Sequence, residues 1–146
     1  MRIAVLSRWN ATCGISLHAE LLAREWVRRG HEVIVFAPRL DSANEDWHHK
    51  CIEVDDEPWV VRCYIETDDP LGGEIDSDEI LSHSFDVFLI EVYRRLPARK
   101  LEQLVKRIRQ KAPIIGVIHE GTVEDLEPFT KIEFDSLIVF DRRYVS

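Results

Sequence analysis

A chain of 146 residues, 45% hydrophobic and 32% charged with only six glycines and six prolines, is sized and mixed for one globular domain around one core. No apolar run approaches the roughly 18 residues of a membrane span, and a formal net charge of −8 argues against non-specific nucleic-acid binding, which needs a basic face. Cys13, Cys51 and Cys63 are odd in number and form no CxxC pair, so neither a zinc site nor a disulfide framework is expected. The thiols read as reduced, and the apolar run behind Arg2 is too short for a signal peptide, so a cytoplasmic protein is expected.

In chain order, Ile3 to Leu6 is an apolar run that predicts a strand, followed by a loop with a single glycine, Gly14. A helix follows, because Ile15, Ala19, Leu22, Ala23 and Trp26 recur at three- and four-residue steps. Ser16 is expected to cap it, the pairs Glu20/Arg24 and Glu25/Arg29 support it, and Gly30 stops it. Val33 to Ala37 is the second strand, which completes a βαβ unit. Such a unit places the Gly14 loop and the helix N-terminus at the carboxyl end of the first strand, where ligands sit in open α/β sheets.

Leu40 to Lys50 reads as a surface loop with Trp47 as an anchor, and strands are expected at Cys51 to Val54 and Trp59 to Ile65, separated by an Asp-Asp-Glu-Pro turn. Asp68 to Gly73 is a loop by composition, followed by a short helix from Asp76 to His83. Phe85 to Tyr93 has the continuous apolar character of a strand buried on both faces. Pro97 to Lys111 is an amphipathic helix with Leu101, Leu104, Val105 and Ile108 inward and Pro97 in its first turn. The next strand, Pro-Ile-Ile-Gly-Val-Ile, ends at His119. Thr122 then signals a helix to about Lys131, and a last strand covers Ser136 to Phe140.

This order predicts an α/β fold, a doubly wound, mainly parallel sheet with helices on both faces. So few residues after the last strand lead us to expect that its crossover helix is missing and that a longer chain would continue. Charge is uneven along the chain: residues 41–79 carry fourteen acidic and two basic side chains, whereas residues 94–111 carry eight basic and one acidic. The basic stretch is either a solvated helix face or a peripheral contact with an anionic membrane or lipid-linked acceptor.

Four places together resemble a family: the opening MRIAVLS with the Gly14 loop, the Leu21–Arg29 helix closed by Gly30-His31-Glu32-Val33, the strand FDVFLIEVY, and PIIGVIHE with its terminal histidine. FDSLIVFDRRYVS is a fifth. The chain resembles the N-terminal, Rossmann-like domain of two-domain GT-B retaining glycosyltransferases. The resemblance covers nearly the whole of residues 1–146 as a single domain, most weakly from Asp41 to His83. It implies an acceptor-side domain that works with a C-terminal donor-binding domain absent here, and that is inactive alone. The partners implied are a nucleotide-sugar, as donor substrate rather than cofactor, and a sugar or lipid-linked acceptor. A freestanding, non-catalytic binding or regulatory module of the same fold is the alternative.

By the same resemblance His119 is the catalytic-side histidine facing the transferred sugar, and Gly14 lets the first loop approach phosphate or acceptor. Cys13 stands where the family often has a second glycine. Glu91 and Tyr93, ending one strand, and Glu120, beside His119, lie on the same ligand edge. Each has a plainer reading: a strand-end histidine satisfied by its neighbours, a turn glycine, charges returning the chain to water, and a helix cap at Glu120. No metal site is expected. Asp76-Ser77-Asp78 reads as helix capping rather than a metal-binding DxD, and adjacent residues such as His48 and His49 rarely point the same way. A dehydrogenase-type domain is disfavoured because the first loop lacks GxGxxG.

Overall fold

A computed structural model describes residues 1–43 and 49–145. Its centre is a seven-stranded sheet of β1 (Arg2–Leu6), β2 (Glu32–Pro38), β3 (Val60–Ile65), β4 (Glu74–Ile75), β5 (Val87–Val92), β6 (Ile114–Ile118) and β7 (Ser136–Ile138), in the order β4-β3-β2-β1-β5-β6-β7. All neighbours are parallel except β3 and β4, where Tyr64 pairs with Ile75. From β1 the chain winds outward through β2 and β3, then returns to the other side of β1 at β5. The loops that leave β1 and β5 therefore diverge, which opens a crevice at their carboxyl ends. The fold is α/β and compatible with a Rossmann-like arrangement.

The sheet divides the core in two, where composition alone suggested one. Period-two alternation sends Ile3, Val5, Val33, Val35 and Leu89 into one cluster with Ala19 and Ala23 of α1 (Gly14–Arg28). It sends Ala4, Leu6, Phe36, Phe88 and Ile90 into the other. There they meet Ile80 of α3 (Ser77–Leu81) and Leu101, Leu104, Val105 and Ile108 of α4 (Ala98–Ile108). The expected apolar stripe of α4 is thus its buried face. Helix α1 ends as expected: Gly30 takes a φ of 90°, its N–H bonds the Val27 carbonyl, and the His31 N–H bonds that of Trp26. Two of the helix's orphan carbonyls are satisfied in this way.

Several expectations are corrected. Ser16 does not cap α1; the helix starts at Gly14 after Cys13, and the Ser16 hydroxyl faces inward, accepting from the Ala11 N–H and donating to Glu20. Cys51 to Val54 is no strand. Val60–Ile65 occupies that edge of β2, and Cys51 makes only an isolated bridge to Ala11. The added strand is instead β4, too short to carry a periodic signal. Residues 40–43, expected as loop, form the one-turn helix α2 (Leu40–Ala43); Trp47 and His48 lie outside the described residues. Pro97 precedes α4 as its cap rather than opening its first turn. Pro128 shortens the expected 122–131 helix to α5 (Val123–Leu126), capped by Thr122, and a single 3-10 turn, Glu127–Phe129. The last strand stops at Ile138, leaving Phe140 beyond it. No helix among the described residues is long and apolar enough to cross a membrane.

Candidate functional site

At the carboxyl edge of the sheet, the loops after β1, β5 and β6 and the first turn of α1 enclose a cavity of about 350 Å³. Its lining includes Arg8 from the first loop, Arg94 and Arg95 after β5, His49, His119 and Glu120; Arg8 pairs with Glu66, and Arg94 and Arg95 with Asp68. Cys13, Gly14 and Ile15 bring the N-terminus of α1 to the same space, and the side chain of Cys13 makes no capping hydrogen bond there. The first N–H groups of a helix and its dipole favour negative charge.

The floor is rigid. Arg8 is 2% exposed and forms a two-pronged ion pair with Glu66, itself 5% exposed, through Nε at 2.7 Å and Nη2 at 2.8 Å. Burial works against the Arg8 charge, but the hydrogen bonds and charge of Glu66 outweigh it and raise the guanidinium pKa. Arg8 lies over the ring of Tyr93, 5.6 Å from its centroid, and the Tyr93 hydroxyl shares a 2.7 Å hydrogen bond with Tyr64. Burial pushes both phenols well above their ordinary pKa, so both remain neutral.

The loop after β1 is shaped by Asn10, at a φ of 52°, and held by the acidic segment that the sequence marked only as an Asp-Asp-Glu-Pro turn. Asp56 accepts from Asn10 Nδ2 and from two nitrogens of Arg62, which also donates to the carbonyls of Trp9 and Pro38. Glu57 accepts from the indole N–H of the fully buried Trp9 and from Arg24. Hydrogen bonds from Arg62 hold the Asp56 carboxyl below its ordinary range. For Glu57, burial acts upward but the backbone, Trp9 and Arg24 hydrogen bonds prevail downward.

Of the residues singled out from sequence, Cys13, Gly14, Tyr93, His119 and Glu120 line this one cavity. Glu120 also anchors the β5 loop by accepting from the Arg94 N–H at 2.7 Å. Gly14 has an ordinary backbone, and a Cβ there would meet nothing within 4 Å, so protein sterics do not demand glycine at this point. Glu91 is placed differently. It is fully buried behind the cavity, and its two carboxylate oxygens accept from His18 Nδ1, at 2.6 Å, and from His119 Nε2. His119 therefore offers only its other ring nitrogen to a ligand. Asp76 is a helix cap, as expected, accepting from the Glu79 N–H.

No protein-family model matches the chain. The site is consequently read from its own chemistry: a small pocket at a topological switch point, where carboxylate-paired arginines and a histidine offer hydrogen-bond donors. Sequence reasoning missed Arg8, Glu66 and His18. Arg8 had a signal, as the second residue beyond a buried strand on the ligand edge. So did His18, three residues after Ile15 and four before Leu22 on the inward stripe of α1. The basic stretch 94–111 is partly engaged within the fold: Arg109 pairs with Glu133 and Asp135, and Lys111 donates to the carbonyls of Leu81 and His83.

Proposed function

We propose that this chain is the acceptor-side, doubly wound Rossmann-like domain of a GT-B retaining glycosyltransferase. It would move a sugar from a nucleotide-sugar to an acceptor together with a donor-binding C-terminal domain. The observation that carries the reading is the cavity at the β1/β5/β6 edge, where three arginines and the N-terminus of α1 surround a histidine. Retaining transfer needs the departing diphosphate stabilised electrostatically and the transferred sugar held at its hydroxyls. Here His119, oriented by Glu91 through one nitrogen, presents the other to a hydroxyl, and Arg94, the most exposed of the three arginines, is placed to meet a phosphate. Gly14 is compatible with the same reading, because the open space beside it leaves room for a ligand's approach.

Ligand-observed NMR against a panel of nucleotide-sugars and free sugar acceptors tests this. Saturation transfer to the phosphate-bearing or sugar moiety, lost in Arg94→Met, is expected, with no turnover by the chain alone. Failure of every panel member to bind overturns it.

A further inference from the structure

Behind the cavity, three side chains from three elements converge: His18 from α1, Glu91 from β5 and His119 after β6. We propose that they form a binding site for a first-row divalent metal ion of the zinc class. One donor atom from each lies within 4.8 Å of the others. Two ligands held at about 2.0–2.1 Å on one ion span roughly 4 Å at most, so small side-chain rotations complete the site.

Charge supplies the second argument. The two buried carboxylates near the pocket are treated differently: Glu66 is neutralised by the guanidinium of Arg8, whereas both oxygens of Glu91 meet imidazoles. A divalent cation between the three groups would meet a carboxylate already held out of water together with two ring-nitrogen lone pairs, with the ring protons on Nε2 of His18 and Nδ1 of His119.

The donor set selects the ion. Two imidazoles and one carboxylate suit zinc and its first-row neighbours rather than calcium or magnesium, which prefer all-oxygen cages. Three protein ligands leave a coordination position open. The His18 and His119 side chains keep 26% and 11% of their surface, so the group is reachable, while Phe140 packs against both rings at 5.3 and 5.2 Å and forms an apolar wall.

The test is a titration of EDTA-dialysed protein with zinc against a chromogenic chelator, repeated with cobalt to read the visible ligand-field bands. One equivalent is expected to bind. His18→Gln and Glu91→Gln should weaken it by at least about 100-fold, as even outer-shell changes cost 10–100-fold. His31→Gln, at the far end of α1, should not. Circular dichroism checks folding, and because His18 is partly exposed, His18→Gln decides the matter if the Glu91 variant does not fold. Absence of stoichiometric binding, or equal binding by wild type and His18→Gln, overturns the site. The titration uses no sugar or nucleotide, so its failure leaves the glycosyltransferase reading standing.

Discussion

The Arg8–Glu66 pair is a place where a single side chain bears directly on stability. Both groups are taken out of water, and each relies on the other's two-pronged geometry. Removing one partner of such a pair costs about 3–5 kcal/mol, chiefly through the stranded charge. Glu66→Ala should therefore lower the urea-unfolding free energy by about that amount, and a loss under about 1 kcal/mol would mean that water reaches Arg8. Cys63 provides a chemical counterpart. It is 4% exposed, and burial pushes its thiol up to about 12. At pH 8 it should resist iodoacetamide in the native protein and react only after denaturation, as mass spectrometry of the alkylated peptide would show. At this scale the site was half legible in the sequence. Gly14, Tyr93, His119 and Glu120 follow from the rule that ligands gather at strand carboxyl ends. Glu91 sits on the same edge but points inward, because alternation along β5 decides which face a side chain takes. The pairings of Arg8 with Glu66 and of Glu91 with His18 join residues 58 and 73 positions apart, a distance that no local pattern encodes.

Among the elements, two glycines separate backbone need from crowding. At Gly30 the φ is 90° and a Cβ would meet nothing, so Gly30→Ala should cost about 1 kcal/mol through the left-handed conformation alone. At Gly73 the φ is 75°, and a Cβ would lie 2.7 Å from Pro97 Cβ and 2.8 Å from the Ile65 carbonyl oxygen. Gly73→Ala must also push the β3–β4 turn off the start of α4, and chemical denaturation should show it losing at least about 2 kcal/mol. The segment holding the first loop has its own signature. Since Asp56 titrates below its unfolded value, its pairing with Arg62 stabilises the protein above the ordinary carboxylate range and is lost as pH falls through the folded value. The stability gap between wild type and Asp56→Asn, measured in urea from about pH 6 down to about pH 3, should close as the wild-type carboxyl protonates. The major elements were readable because burial on both faces of β1, β5 and β6, and on one face of α1 and α4, leaves long periodic signals. Segments 51–58 and 74–75 were not. Their conformation is set by Arg62, Arg24, Trp9 and an antiparallel edge of two residues, all contributed from elsewhere in the fold.

For the molecule as a whole, a chain of net charge −8 gathers three arginines, each paired with a carboxylate, at one end of its sheet, so the proposed anion binding there would be a local property that the total charge conceals. Gly14 separates that property from folding. Its side is open and its backbone ordinary, so Gly14→Val should change the unliganded stability by no more than about 0.5 kcal/mol. The added methyl groups would occupy space at a residue that lines the cavity. A nucleoside diphosphate at 100 times its dissociation constant stabilises the native state by about 2.7 kcal/mol, which raises the melting temperature by several degrees in a domain of this size. Thermal-shift measurements should show that rise in the wild type, smaller at 0.5 M salt because the attraction is screened, and absent in Gly14→Val. Equal shifts in the two proteins would place the anion elsewhere. A Gly14→Val variant already destabilised without ligand would instead make Gly14 a folding residue, and the openness around it would need another cause.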